Sequence, residues 1–255
     1  MKNGNKKKIL FDMLYPLLVV LGTLVLWQVL ALVLDATLLL PTPKDSLTRF
    51  FEYLAQGEFW VALGGTFGRS VYSFLFAFAI AGVFAVLCSL FNVARKILLP
   101  IVAIMRSIPT MSVILILIIW TSPSMAPSAV AVIVTAPTLF SAFLASVDSV
   151  DKKLVEMSKV YGVSKKDRVF KLYLPNMAPQ LFENCASGFS LNVKLVIAAE
   201  ALAYTSKSIG KMMQFAKINL EPIDLFALTL FAMLLGVLTE VIIRFVGKKV
   251  VRWQK

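Results

Sequence analysis

The sequence predicts an all-α, polytopic membrane protein with six transmembrane helices and one long cytoplasmic loop, in a single domain over residues 1–255. Three observations lead to this fold class. Hydrophobic residues make up 59% of the chain and charged residues only 16%, against about 25% charged residues in a typical soluble domain. Charged side chains are nearly absent from several windows of transmembrane length. Lys and Arg gather between these windows, as they do in the loops of membrane proteins.

Six apolar windows follow one another along the chain. They cover residues 15–34, 66–90, 98–120, 128–147, 179–203 and 225–246. At a rise of about 1.5 Å per residue, windows of this length can cross a hydrocarbon core of about 30 Å. A basic N-terminus before an apolar run is also typical of a signal peptide. The 15–34 run is long for one, so we interpret it as an uncleaved first span.

The first external loop contains a short amphipathic helix in this interpretation. Asp45 is expected to cap it. The apolar side chains expected to share one of its faces are Leu47, Phe50, Phe51 and Leu54. Arg69, at the edge of the second window, is expected to extend outward toward the headgroups.

Two prolines interrupt the middle windows. Pro109 follows Arg106 in the third window and Pro137 lies inside the fourth, and both are expected to kink their helices. If the third helix breaks at Pro109, Arg106 lies near the cytoplasmic boundary. If it does not break, Arg106 lies inside the span, and both alternatives remain open at this point.

The basic residues orient the spans. With a cytoplasmic N-terminus, the cytoplasmic segments hold eighteen Lys and Arg residues and the external loops only five. This imbalance follows the positive-inside rule and predicts that both termini are cytoplasmic. The net charge of +12 therefore comes from cytoplasmic loops beside a membrane. It does not indicate nucleic-acid binding, because the basic residues form no stripe with interleaved aromatics.

The composition excludes several kinds of chemistry. The chain has no histidine, so His-based catalysis and His metal sites are excluded. Cys88 and Cys185 lie in apolar surroundings, and we interpret them as small buried hydrophobes rather than a disulfide. The sequence contains no phosphate-binding G-x-x-x-x-G-K-[ST] loop. We expect no metal or cofactor, and no ATP bound by this chain itself.

The cytoplasmic loop over residues 148–175 has the pattern of two short helices. Val150, Leu154, Met157 and Tyr161 recur at helical spacing, and Gly162 is expected to end that helix. Ser164 is expected to cap the second helix, with Asp167 at its third position. The second helix is expected to end before Pro175.

The same loop resembles the "EAA" loop of permease subunits of bacterial ATP-binding-cassette importers. That family's pattern is E-A-A, three residues, G, nine residues, I-x-L-P, and here it reads Glu156-Met157-Ser158, Gly162, and Leu172-x-Leu174-Pro175. All spacings match, with Met, Ser and Leu replacing the two alanines and the isoleucine. Three further segments resemble the nitrate, sulfonate and taurine branch of the family: residues 40–43, 106–109 and 199–200.

The resemblance implies a division of labour between chains. Two permease copies, here expected to be a homodimer, would form the passage in a bacterial plasma membrane. Two separate ATPase subunits would bind the 148–175 loop, and an extracytoplasmic binding protein would deliver the solute. The residues implied in ATPase coupling are Glu156, Ser158, Lys159, Gly162, Val163, Leu174 and Pro175.

Ionisable residues inside spans are candidates for the passage, because burying them in lipid is costly unless they are paired or hydrated. The candidates are Arg106, Lys194 and Glu200, with Asn192 beside them. Lys194 and Glu200 can instead neutralise charges across a dimer interface, and that alternative stays open. If Lys194 lines the passage, an anionic solute is favoured.

Two other functions compete with the importer permease. A gradient-driven secondary transporter is the alternative, but the chain shows no convincing internal repeat of the kind such proteins carry. A membrane enzyme would need a nucleophile with a base or a pair of carboxylates at useful spacing, and none is found. The sequence does not identify the solute.

Overall fold

The computed structural model describes residues 2–34, 36 and 38–251, with the side chains in these ranges other than those of residues 2–13, 16, 17, 152 and 165. Every regular element in this part of the chain is a helix, in agreement with the predicted all-α class. The long helices are α1 (Lys2–Leu34), α3 (Gly57–Leu90), α6 (Ala126–Asp148), α9 (Leu174–Ala203) and α11 (Pro222–Val250). The shorter helices are α2 (Pro43–Leu54), α4 (Asn92–Ser107), α5 (Thr110–Trp120), α7 (Lys152–Val160), α8 (Lys165–Asp167) and α10 (Ile209–Ile218). A π-helical turn, Arg168–Tyr173, joins α8 to α9.

Four helical runs among the described residues are long and apolar enough to cross a membrane: α3, α6, Arg168–Ala203 and α11. The helices α4 and α5 meet at 91°, and together they are long and apolar enough to count as a fifth span if the bent pair is taken as one span. The apolar part of α1, Leu18–Leu34, is a shorter apolar helix. All of these helices overlap the six predicted windows, but four or five of them meet the length for a span, so the predicted count of six is slightly higher than the described residues show.

The third window is broken because Pro109 cannot continue the helix before it. Proline has no N–H to donate and disfavours helical backbone in the residue before it, and Ile108 is extended, with φ −70° and ψ 129°. The predicted kink at Pro109 is therefore confirmed. Pro137, by contrast, lies inside the continuous helix α6.

The core of the bundle is α6 packed between α3 and α9. The face of α3 turned toward it carries small residues at intervals of three or four, all buried: Ala62, Thr66, Ser70, Ser73, Ala77, Ala81 and Ala85. Small side chains allow membrane helices to approach closely. Larger side chains from the facing helices, such as Leu139, Phe140 and Val193, fill the space between.

The fifth span begins earlier than predicted. Helix α9 is continuous with the π-helical turn and runs through Pro175 and Pro179. The predicted end of the second loop helix before Pro175 is therefore wrong. The extra width of the π-helical turn accommodates Pro175, whose ring would clash with the carbonyl four residues earlier in a regular α-helix.

Helix α2 packs on the bundle mainly through residues other than its predicted apolar face. Phe50 stacks on Phe231 of α11 with 3.8 Å between ring centroids, but Leu47, Phe51 and Leu54 are exposed. The buried positions are three others, Pro43, Ser46 and Tyr53. The predicted apolar face of α2 is therefore largely exposed on the outer surface.

Polar contacts fix α2 at both ends. Thr42 rather than Asp45 is the N-cap, since its hydroxyl accepts from the Asp45 N–H at 3.2 Å. Near the other end, the Tyr53 hydroxyl and the Arg49 guanidinium both donate to Asp224 of α11. Burial, with the Asp224 carboxylate beside it, raises the pKa of Tyr53 well above its ordinary value. Tyr53 therefore stays protonated and donates.

Candidate functional site

The 148–175 loop forms an arm that extends from the ends of α6 and α9. The N-cap of helix α7 is Asp151, whose carboxylate accepts from the Lys153 N–H at 2.8 Å. Its end is a Schellman motif, in which the Gly162 N–H bonds to the Lys159 carbonyl and the Val163 N–H to the Ser158 carbonyl, both at 3.0 Å. We call residues 148–175 the arm.

Gly162 is required by the backbone of this motif. Its φ is +67°, a left-handed conformation, and nothing lies within 4 Å of the position where a Cβ would be. A side chain there would be strained by the backbone and not by a neighbour. The predicted helix end at Gly162 is confirmed.

The apolar stripe of α7 faces away from the bundle. Val150 is buried, but Leu154, Met157 and Tyr161 are 37%, 53% and 79% exposed, and Val160 beside the stripe is 85% exposed. The Glu156 and Lys159 side chains are exposed as well, and neither forms an ion pair among the described residues. An apolar patch with polar neighbours at the tip of an arm is typical of a surface that binds another protein.

The second half of the arm is built as predicted at its start. Ser164 accepts from the Asp167 N–H at 3.1 Å and donates to the Asp167 carboxylate at 2.8 Å, which confirms the cap. A hydrogen bond and ion pair with Lys171 at 2.8 Å lower the pKa of Asp167. In the π-helical turn the Leu174 N–H bonds to the Val169 carbonyl, five residues back.

Helix α9 has one exposed stripe along its length. Its exposed positions recur every three or four residues along a helix that is otherwise largely enclosed, and Leu191 between them is half-buried. The exposed members are Asn176, Gln180, Glu183, Ser187, Lys194 and Ala198. We call this set the open stripe. It is mostly polar, so it is suited to water rather than to lipid.

Lys194 is the cation of the open stripe. Its neighbours Val193 and Leu195 are buried, whereas its own side chain is exposed and has no hydrogen bond or ion pair among the described residues. Glu200 lies six residues further on, about 120° around the helix. The two side chains therefore do not share a face.

The Glu200 side chain has no exposed surface. Its carboxylate accepts from the Thr66 hydroxyl at 2.8 Å, from the Arg69 guanidinium at 2.7 Å and from the Gly210 N–H at 3.3 Å. All of these groups belong to the same chain, so Glu200 is enclosed within one bundle. A role in the passage stays a prediction, and in this chain the carboxylate binds three neighbours.

The Arg69 guanidinium also binds the turn between α9 and α10. It donates to the carbonyl oxygens of Ser206 at 2.8 Å and of Lys207 at 3.2 Å. The Thr205 hydroxyl of the same turn donates at 2.6 Å to the carbonyl of Pro123, between α5 and α6. We call Thr66, Arg69, Glu200 and the turn 204–208 the outer hub, because the charge pattern predicts that this end of the bundle is external.

Arg69 and Thr66 are site candidates that the sequence pattern did not reveal. The expectation that Arg69 extends outward is wrong, since its side chain is only 16% exposed and points at Glu200. Charge balance is the sequence signal that could have identified the pair of Arg69 and Glu200. Two opposite charges occur in the outer halves of two spans, and each needs a partner in a low-dielectric environment.

Asn192 is also enclosed. Its amide nitrogen donates to the Ser70 carbonyl at 2.8 Å and to the Ser73 hydroxyl at 3.0 Å, and its oxygen lies 3.4 Å from the Thr135 hydroxyl. It therefore joins α3, α6 and α9 by hydrogen bonds at the middle of the bundle. A passage role stays a prediction for Asn192 as well.

Arg106 lies at the elbow between α4 and α5. Its side chain is exposed and donates to the Ser141 hydroxyl at 3.3 Å. Ser141 is seven residues before the end of α6, about 10 Å along the helix. Arg106 thus reaches into the span from a broken helix, and no carboxylate pairs with it among the described residues.

The carboxylates well inside the spans are paired, in contrast, whereas Glu58, exposed at the start of α3, forms no ion pair among the described residues. Glu183 and Glu240 both bind Arg244, at 2.7 Å and 2.8 Å, Glu200 binds Arg69, and Asp148 at the end of α6 binds Arg95. Both cysteines are free thiols, and no cluster of metal-ligating side chains occurs in the described part of the chain.

Comparisons with known proteins agree on one family. The family model described as "Binding-protein-dependent transport system inner membrane component" matches residues 77–252, well over half of the chain. An aliphatic sulfonates transport permease protein, SsuC, of Escherichia coli (strain K12) is 25% identical over 243 residues, covering 93% of this chain and 91% of the relative. The Bacillus subtilis (strain 168) protein of the same name is 22% identical, covering 90% and 83%.

A solved structure has the same fold. A chain of the MetNI methionine ABC transporter, in an inward-facing conformation, superposes with a TM-score of 0.62 at 20% sequence identity. The match covers 76% of this chain and 95% of that chain. At this identity the likeness concerns the fold.

Proposed function

Since the chain belongs to the family of binding-protein-dependent transport system inner membrane components and is the permease subunit of an ATP-binding-cassette importer, we propose that it carries a small anionic solute. The observation that carries this proposal is charge balance inside the spans. Lys194 and Arg106 are exposed cations without a carboxylate partner among the described residues, whereas the carboxylates Glu183, Glu200 and Glu240 are paired.

An unpaired cation in a span must face water, a ligand or a counter-charge on the second copy, because lipid would make it too costly. Of these we propose water and ligand. Lys194 lies on the open stripe of α9, and Arg106 lies at the elbow of the broken span. An aqueous passage along the open stripe would therefore carry a positive potential and favour anions. The relatives named for aliphatic sulfonates make a sulfonate a reasonable member of this class of solute.

The arm is the proposed site of coupling to separate ATPase subunits. Met157, Val160 and Tyr161 offer an exposed apolar surface, and Glu156 adds a free carboxylate that can pair with a basic group of the partner. Gly162 holds this surface in place through the Schellman motif. Pro175 and Leu174 connect the arm to α9 through the π-helical turn.

The proposed assembly contains two copies of this chain, two ATPase subunits and an extracytoplasmic binding protein that delivers the solute. The proposed orientation in a bacterial plasma membrane places both termini and the arm in the cytoplasm, because most Lys and Arg residues lie on that side. ATP would bind to the ATPase partners, and this chain would need no cofactor of its own. A gradient-driven transporter, the alternative, is not favoured by the family to which the chain belongs.

The passage is tested by uptake in proteoliposomes that contain the complete importer, with radiolabelled ethanesulfonate as the probe. Lys194→Met should lower uptake about tenfold, since a charge pair about 4 Å apart contributes about 1 to 4 kcal/mol between bulk water and a protein surface. Lys44→Met, which removes an exposed lysine of α2, is the matched control and should transport normally. Wild-type uptake by Lys194→Met would remove this residue from the passage.

The coupling site is tested by affinity purification of the chain in mild detergent, with mass spectrometry of its partners. We expect an ATPase subunit to copurify with the wild-type chain and to be lost from Gly162→Asp. Normal ATPase association and uptake in Gly162→Asp would contradict a role for the glycine turn. Uptake that needs an ion gradient and no ATPase would contradict the proposed function as a whole.

A further inference from the structure

The outer hub joins four parts of the bundle through two ionic side chains. Arg69 and Thr66 belong to α3, Glu200 to the last turn of α9, and the turn 204–208 leads into α10. The Thr205 hydroxyl adds the α5–α6 connection through the Pro123 carbonyl. At the start of α10, the Ile209 N–H donates to the Thr66 hydroxyl at 3.0 Å. Each polar contact therefore crosses from one element to another.

The turn within the hub is held in a strained conformation. Tyr204 and Lys207 have φ values of 52° and 51°. Residues other than glycine rarely occupy this left-handed region. Such residues persist where the surrounding structure holds them, and they occur often at functional sites. The Lys207 carbonyl, which Arg69 binds, is also so close to α3 that a Cβ on Gly65 would lie 2.2 Å from it.

Stability alone does not account for this arrangement. An apolar pair of similar volume often stabilises a protein as well as a buried ion pair does, because burying two charges costs several kcal/mol of desolvation. An arginine guanidinium differs from an apolar side chain because it binds several acceptors in set directions. It therefore fixes the relative positions of the elements that carry those acceptors. Here one guanidinium binds the Glu200 carboxylate and two carbonyls of the turn.

Helix α9 connects this hub to the arm. It runs without interruption from Leu174, next to the π-helical turn, to Ala203, three residues beyond Glu200. Thirty helical residues span about 45 Å. Movement of the arm would thus reach the outer hub along one rod that also carries the open stripe.

We infer that Arg69 and Glu200 are positioning residues for transport, which make the outer ends of α3, α9, α10 and the α5–α6 connection move as one body. The inference rests on the proposed function, in which the arm receives movement from the ATPases. Without the hub, α9 would tilt or rotate alone, and its movement would not open or close the outer mouth. ATP hydrolysis would then continue without a change at that end.

Arg69→Lys is the variant that separates positioning from charge. A lysine ammonium keeps the charge beside Glu200, but it is a point charge on a flexible stem and cannot hold the carboxylate and both carbonyls together. The matched control is Arg49→Lys. Arg49 also pairs with carboxylates at the outer end, but it joins α2 to α11 and lies outside the hub.

The experiment measures access to the outer end of the open stripe in the complete importer. Cys88 and Cys185 are replaced by Ala, and Ala198→Cys provides one reporter for a membrane-impermeant maleimide. Its labelling rate is compared without nucleotide and with ATP plus orthovanadate, and ATP hydrolysis is measured in the same samples. We expect the wild-type background and Arg49→Lys to show a nucleotide-dependent rate. Arg69→Lys should reduce that dependence about fivefold or more, the lower end of the usual range for coupling between sites, while hydrolysis continues.

Unchanged nucleotide dependence in Arg69→Lys would overturn the inference, and so would an equal loss in Arg49→Lys. A parallel fall of hydrolysis and labelling response, in proportion to the folded complex, would show a structural role only and overturn it as well.

If Arg69→Lys does not fold, the double variant Arg69→Met with Glu200→Leu removes the ion pair without leaving a lone charge. Lost dependence in that variant supports the inference, and wild-type dependence overturns it. A wild-type background with no nucleotide response would contradict the proposed function itself.

Discussion

The two ends of the bundle are built on different principles. At the outer hub, a carboxylate with no exposed surface binds three partners, and the Gly210 backbone packs directly on α9. In the arm at the other end, Asp167 and Lys171 form an exposed ion pair, and Met157 and Tyr161 face outward. One end is held by buried contacts that leave few alternatives. The other is held by local helix signals and offers its apolar surface to a partner.

This difference suggests how a permease divides its tasks. A part that transmits movement must resist deformation, and buried, multiply bonded groups provide that resistance. A part that receives movement from another protein must leave its contact surface free, and its own stability comes from short-range contacts such as caps and glycine turns. The contrast can be tested by substitutions at each end, and the expected effects decrease from the hub to the arm.

The largest effect is expected for Glu200→Ala. Removing the carboxylate leaves the Arg69 guanidinium largely buried without a counter-charge, and breaking a buried pair in this way costs about 3–5 kcal/mol. Thermal unfolding in detergent, followed by size-exclusion chromatography, should show a large loss of folded chain. Glu240→Ala removes a half-buried carboxylate from Arg244, which keeps its exposed pair with Glu183, and should change stability by at most about 1 kcal/mol. Equal effects in the two variants would remove the contrast between buried and exposed pairs.

A smaller but clear loss is expected for Gly210→Ala. The added Cβ would lie 2.4 Å from the Ile197 carbonyl oxygen, 2.5 Å from the Glu200 Cβ and 2.6 Å from the Ala201 backbone nitrogen, so the backbone of α9 or α10 must move. Overpacking of this kind costs about 1–3 kcal/mol. Gly68→Ala is the control, because nothing lies within 4 Å of its Cβ position on α3. The same thermal measurement should show no loss there, and a loss equal to that of Gly210→Ala would mean that close packing at α10 is unimportant.

In the arm, Gly162→Ala should destabilise only the local structure. A left-handed conformation costs a residue with a Cβ about 1–2 kcal/mol, and α7 would lose part of its Schellman motif. Hydrogen exchange measured by mass spectrometry should rise in peptides from the arm, while the thermal unfolding of the bundle stays at the wild-type value. Gly162→Asn, which tolerates this conformation better, should exchange less than Gly162→Ala. A lower unfolding temperature for the whole bundle would show that the arm is not an independent unit.

The smallest effect is expected from pH, at the second helix of the arm. The pKa of Asp167 is lowered chiefly by its hydrogen bond with Lys171, so the ion pair contributes stability above the ordinary Asp pKa. That contribution is lost as the pH falls through the lowered value in the folded arm. Hydrogen exchange of residues 164–173, corrected for its intrinsic pH dependence, should rise at acid pH. The rise should be absent in Asp167→Asn, and an identical rise in that variant would assign the effect to another group.

Short-range signals made the arm the most predictable part of the site. Ser164 and Asp167 form the expected cap, and Gly162 has the backbone conformation that ends α7. These features depend on residues within a few positions of one another, so sequence spacing is sufficient to find them. The π-helical turn was not expected, because Pro175 was interpreted as a helix end, whereas a wider turn also accommodates it.

The sequence by itself determined the class of the fold, the apolar windows and the family resemblance, because hydropathy and spacing are properties of the linear chain. It also identified Lys194, Glu200 and Arg106 as charges inside spans, which need a partner or water because burying them in lipid is costly. Only the tertiary structure decided which of them are paired. Arg69 and Glu200 are 131 residues apart in sequence, and no periodicity links them. Partners of buried charges are chosen by how helices pack, and that choice appears only when the bundle is assembled.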